Sequence, residues 1–303
     1  MKQKLLASLL ALAMVLSLAA CGSSGQTTSG GSASSAPAAS SASSEESTET
    51  QESATATIES TVLVDQDGIV VTAQELVEDP ILGTGVKLLI ENNSSEEQVI
   101  QCDYAVVNNF MMSPLLFSAD VTAGNKANDT LYFLDSVMEG APIETVADMS
   151  FVFSSTNPDT FQKNFTTEEI SLPTSASGSY EQPIPDEGQE LYNQNGFRIV
   201  GKYVEEDTLW GAGMVLFVEN TSGSDILLTS SSMSINGFMV TPYFSTQVND
   251  GRVALTSITI LSTDLEANGI ETVENIELSF TGIDPASFTT VFETGPIAFS
   301  AAA

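Results

Sequence analysis

From residue 62 onward, apolar side chains fall at every second position in short runs broken by turn residues. Val86, Leu88 and Ile90 alternate with Lys87, Leu89 and Glu91, and Met149, Phe151 and Phe153 alternate with Ser150, Val152 and Ser154. A period of two marks strands buried on one face. Asn92-Asn93-Ser94-Ser95 supplies turn chemistry after one strand, and Asn109 before another. Only residues 135–147 and 262–273 lack the alternation, and each reads as non-strand, a single helical turn at most.

The pattern occurs twice. At an offset of 128, Asp65-Gln66-Asp67-Gly68 meets Asn193-Gln194-Asn195-Gly196, and the run Gly83–Asn92 meets Gly211–Asn220. Phe110-Met111 meets Phe238-Met239, and Pro114 meets Pro242. After a one-residue deletion the offset is 127, and Val121, Gly124, Phe153 and Phe165 meet Val248, Gly251, Phe280 and Phe292. Inner positions keep their apolar character while the intervening ones drift, as one-sided burial requires. About seven short strands in each copy predict an all-β protein of two tandem immunoglobulin-like β-sandwiches, residues 61–174 and 190–303, joined by a linker at 175–189. The Cys…Trp…Cys core of antibody domains is absent, since Trp210 is the chain's one tryptophan. The second copy is expected to fold alone.

The N-terminus has a different pattern. Lys2 and Lys4 precede an apolar run over residues 5–20, which reads as a signal peptide, too short for a span of about 20 residues. It ends in Leu18-Ala19-Ala20-Cys21-Gly22, which resembles the lipobox of bacterial lipoproteins. The resemblance implies removal of residues 1–20 and attachment of a diacylglycerol to Cys21. Two acyl chains suffice for stable membrane anchoring where one is marginal. In the segment 21–60, residues 22–60 are almost entirely Ser, Ala, Thr, Gly, Gln and Glu, with Ile58 the one large apolar side chain. Such a segment cannot offset its ordering entropy by burial, so a disordered tether is expected, with a coil reach of roughly 35 Å.

Composition narrows the function. The 303 residues carry 40 acidic and 8 basic side chains and no histidine. Histidine-based nucleophile systems and imidazole-bound zinc are thereby excluded, and the negative charge opposes nucleic-acid binding. The acids are spread over the tether, the linker and both copies, as suits an extended, soluble surface protein. If Cys21 carries lipid, Cys102 is left as a single thiol.

Each candidate chemical feature has a plainer explanation. Asp65-Gln66-Asp67-Gly68 resembles the opening of a calcium loop, but position twelve is Leu76 and the copy has lost the charges, so a β-turn is expected. Glu78-Asp79, Glu205-Glu206-Asp207 and Asn249-Asp250 are acidic loops without ligand spacing. Glu91/Glu219 and Glu144/Glu271 recur in both copies and read as strand-end charges, though paired carboxylates leave a glycosidase-like hydrolase as the alternative function. Gly83-x-Gly85 and Gly211-x-Gly213 lack the third glycine and the helix of a phosphate loop. Cys102 faces Ser230 in the copy and reads as a space-filling thiol, and Phe110-Met111-Met112 and Phe238-Met239-Val240 read as core.

The segments "IENNSS" and "VENTSG", "NNFMM" and "NGFMV", and "ETVADMSFVF" and "ETVENIELSF" resemble those of uncharacterised immunoglobulin-like domains of Gram-positive surface lipoproteins. The resemblance implies an extracellular, non-catalytic binding or spacer protein, without catalytic residues, metal or cofactor. It would be held by Cys21 on the outer face of the cytoplasmic membrane and face a surface protein, cationic peptide or wall polymer.

Overall fold

A computed structural model describes residues 56–113, 115, 117–133 and 141–301, apart from the Asp207 side chain. The expected signal peptide, Cys21, the tether as far as residue 55, Pro114 and half of the 135–147 segment lie outside these residues.

The alternating runs form the predicted strands. In the first sandwich β1 (Thr61–Gln66), β2 (Ile69–Asp79) and β3 (Gly83–Asn92) make an antiparallel meander completed by β7 (Lys126–Tyr132). The facing sheet is built on β4 (Gln98–Val107), which pairs with β5 (Phe110–Met112), β6 (Ser118–Val121) and β8 (Asp148–Thr156); β8 also pairs with β9 (Lys163–Thr166) and β10 (Ile170–Pro173). The chain thus crosses between sheets after β3, before β7 and before β8. The pairs β3–β7 and β4–β8 are those of the B–E and C–F strands of an immunoglobulin-like sandwich. Leu88, Ile90, Leu131, Phe133, Phe151 and Phe153 lie at or below 1% exposure between the sheets, the face the alternation picks out.

The second sandwich repeats the plan. β11 (Gln189–Gln194), β12 (Phe197–Thr208), β13 (Gly211–Asn220) and β17 (Arg252–Leu261) form one sheet. β14 (Ile226–Ile235), β15 (Phe238–Val240), β16 (Ser245–Val248), β18 (Asn275–Ile283), β19 (Thr290–Glu293) and β20 (Ile297–Ser300) form the other. One helical turn and a half, α1 (Ser262–Ala267), joins β17 toward β18, within the segment lacking alternation. The irregularities are duplicated too. Register shifts at Val62/Val64, Ala73/Glu75, Cys102/Tyr104 and Ser155/Thr156 reappear at Glu190/Tyr192, Gly201/Tyr203, Ser230/Ser232 and Gly282/Ile283. Bulges are set by local sequence and re-aim side chains, so their retention reports a shared origin in detail.

The end of the expected tether and the linker both make contacts. Within the expected tether of 21–60, Ala56 is buried, Ile58 packs on the first core, and Thr57 and Ser175 exchange hydrogen bonds of 3.0 and 2.8 Å. The linker makes contacts of its own: Gln182 Oε1 accepts from Asn108 Nδ2, and Lys202 Nζ donates to the Pro185 carbonyl at 2.6 Å. Sequence composition shows neither, because the partners lie far along the chain: Ser175 for Thr57 and Asn108 for Gln182.

Candidate interaction surfaces

The chemistry-bearing residues of the sequence take structural posts. Asp67 and Gly68 form the β1–β2 turn with φ of 52° and 83°, and Asn195 and Gly196 do the same between β11 and β12. Two successive positive φ values are the two-residue hairpin turn that Asx-Gly favours. Glu91 pairs with Lys126, and Glu219 lies 3.8 Å from Arg198. Glu144 and Glu271 are exposed in the loops before β8 and β18. Gly85 and Gly213 sit within strands, where an added Cβ would meet Leu131 O and Ser257 Oγ at 2.9 and 2.6 Å, so their purpose is close strand packing. Cys102 is buried at a bulge and its thiol donates to Tyr104 O; burial, then the neighbouring Asp103, pushes the thiol up to about 12, which disfavours the nucleophilic thiolate. Ser230 does the same work in the copy, donating to Ser279 O at 3.0 Å.

Asp79 and Asp284 close tight loops. Asp79 Oδ1 accepts from Leu82 and Ile81 N–H, and Asp284 Oδ1 from Ser287 and Ala286 N–H, and these bonds hold both carboxyls below their ordinary value. The acidic residue of the β2–β3 tip is thus an Asx-turn acceptor. Beside it the tip exposes Ile81 (85%), and the β12–β13 tip exposes Leu209 (89%) and Trp210 (64%).

A second duplicated surface has no counterpart among the sequence expectations. Phe161, in the β8–β9 loop, has φ 56° and is 84% exposed, and Phe288, between β18 and β19, has φ 55° and is 78% exposed. Each N–H donates back four residues, to Asn157 O and to Asp284 O. A bulky residue in the left-handed region is an outlier. At the offset of 127 the sequence aligns Phe161 with Phe288 and Pro158 with Pro285, but the alignment does not say that the two rings are exposed.

The repeats also meet each other. β5 lies parallel to β17, with Phe110 opposite Val253, so one sheet runs from β10 to β11 through both sandwiches. Val253 N donates to Asn109 O at 3.2 Å, Arg252 Nη1 donates to Asn109 Oδ1 at 2.9 Å, and Nη2 donates to Glu169. Glu169 is held in turn by the hydroxyls of Ser150 and Tyr104. On the outer face of the second sandwich Val200, Val215, Phe217, Val253 and Leu255 are buried and belong to the first sandwich's apolar cluster, while Val106 and Met111 belong to the second's. Their equivalents in the first sandwich are Thr72, Lys87, Leu89, Lys126 and Asn128, none of them buried. Here the core expectation for the aromatic-Met strand divides. Phe110 and Met111 are buried at 0% and 5% where β5 lies against β17, but Phe238 and Met239 are 48% and 68% exposed, and among the described residues β15 pairs with β14 alone.

No protein-family description matches the chain, and no characterised protein sequence does. Two solved structures are matched at low identity and low TM-score. The YadV chaperone is 13% identical over 77% of this chain and 100% of its own, with a TM-score of 0.24. The Salmonella enterica SafA pilin in complex with the SafB chaperone gives 11% identity, 71% and 88% coverage and a TM-score of 0.20. The strand pairing itself defines the class: an all-β protein of two immunoglobulin-like sandwiches.

Proposed function

We propose that this chain is a lipid-anchored, non-catalytic binding protein of the outer cell surface, held at the membrane by Cys21 and engaging its partner through the loop ends of its sandwiches. The observation that supports binding is the pair Phe161 and Phe288. Holding a side chain in the left-handed region costs about 1–2 kcal/mol that glycine would avoid, and each ring stays in water. The same costly choice in both copies stabilises nothing in the fold, and backbone strain of this kind gathers at ligand contacts. In the immunoglobulin plan β8–β9 and β18–β19 are F–G connections, the loops that carry recognition in variable domains. A ring held clear of the sheet offers its face to a sugar ring of a wall polymer or to the cations of a basic peptide, the second favoured by the acidic surface.

Titration of the full chain with purified cell-wall fragments, and separately with a lysine-rich peptide, tests this. Phe161→Ser with Phe288→Ser should weaken binding to the recognised ligand at least tenfold and leave the thermal midpoint unchanged or raised. Equal binding by both proteins would sink the aromatic-loop reading. For the anchor, Cys21→Ala should release the protein to the medium or leave an unprocessed precursor. Normal processing with membrane retention excludes lipid attachment at this residue.

A further inference from the structure

One surface occurs twice, covered in the first sandwich and open in the second. In the first, the β4–β5 hairpin end is closed by β17, and Arg252 enters a recess of ≈ 220 Å³ between Asn109 and Glu169. The equivalent recess in the second sandwich, bounded by Gly237, Met239, Ile276 and Glu277, opens to ≈ 590 Å³. Registers show that it is the same place: Val106 pairs with Ser150 as Ser234 pairs with Glu277, and Ser150 with Ser171 as Glu277 with Ala298. Pro296 stands where Glu169 does, but the recess keeps a carboxylate because Glu277 replaces Ser150. Exposed Phe238 and Met239 complete the joint's apolar half.

We propose that this end of the second sandwich docks a further β-sandwich on another polypeptide, which presents an apolar sheet face and an arginine at the start of its edge strand. The seat is the one the second sandwich itself takes on the first: a strand parallel to β15, aliphatic side chains over Phe238 and Met239, and a guanidinium on Glu277. Arginine fits because its planar fork binds a carboxylate while stacking on neighbouring apolar surface. A second copy of this chain does not fit. Its corresponding face places Lys87 and Lys126 where the internal joint buries Val215 and Val253, and Asn125 where it has Arg252. Burying two ammonium groups against apolar side chains costs more than the contact returns. The inference does not rest on the aromatic loops, which lie on other connections.

The partner face can be written onto this chain. In the full chain, with Cys21→Ala as common background, Thr72→Val, Lys87→Val, Leu89→Phe, Asn125→Arg, Lys126→Val and Asn128→Leu give the first sandwich the docking residues of the second. Sedimentation velocity should show the background protein as a monomer and the rewritten chain as head-to-tail assemblies, with average mass at least doubling as concentration rises. Adding Met239→Glu should return the rewritten chain to the monomer. A rewritten chain that stays monomeric overturns the proposal, as does assembly indifferent to Met239→Glu, which is general stickiness. Met239-dependent association of the background protein overturns it in favour of a second copy. If the sixfold variant lacks a cooperative melt, Lys87→Val with Leu89→Phe and Lys126→Val is measured the same way, with the same outcomes.

Discussion

Asn92 and Asn220 show how much one side chain can hold. Each is 0% exposed, and each Nδ2 donates to two carbonyls, Glu96 O and Val121 O in the first sandwich and Ser224 O and Val248 O in the second. Each Oδ1 accepts from the N–H and the hydroxyl of the serine two residues on, Ser94 or Ser222. A sequence reader sees only a turn asparagine, since the carbonyls it bridges lie as far as 29 residues away. Leaving such groups unpaired inside a protein costs about 1–3 kcal/mol each. Asn92→Ala and Asn220→Ala should therefore each destabilise by about 3 kcal/mol, measured as a fall in urea midpoint with the slope unchanged. The pair Phe161 and Phe288 is illegible for the opposite reason: alignment shows an aromatic kept in both copies, and only φ and exposure distinguish it from a core ring.

Among the elements, the inner faces of β3, β7, β13 and β17 were plain from alternation, because one-sided burial imposes a period that survives drift elsewhere. Their outer faces were not. Lys87 and Leu89 against Val215 and Phe217 look like tolerant variation until β5 is seen beside β17, since a period of two says which face is buried and nothing of what meets the other. The loops give a pH dependence. Asp79 and Asp284 have folded-state values below the ordinary 3.8, so the stability they supply is present above that value and is lost as pH falls through their folded values. In the first sandwich Asn157 closes the loop that Asp284 closes in the second, accepting from Asp159 and Thr160 N–H without a charge. Asp79→Asn with Asp284→Asn should flatten the acid limb of stability from about pH 4 downward while changing little at neutrality; an unchanged acid limb would dismiss these two carboxylates as its source.

At the scale of the whole molecule, the shared sheet couples the sandwiches. Five side chains of the second sandwich are buried in the first one's cluster, worth on the order of 10 kcal/mol by transfer values as an upper estimate. That is comparable to the whole stability of an ordinary domain. Calorimetry should therefore show one unfolding transition for both sandwiches, and Phe217→Ser should split or broaden it. Two transitions in the unaltered chain would restore the independent folding that the tandem repeat predicts. The Trp210 tip has a practical consequence for such work. The chain's sole indole sits 64% exposed on a hairpin end, already surrounded largely by water in the folded state. Its fluorescence colour will change little when the sandwiches unfold, so a flat emission trace is compatible with complete denaturation. The same indole is well placed to report, by a blue shift, whatever comes to rest on that tip.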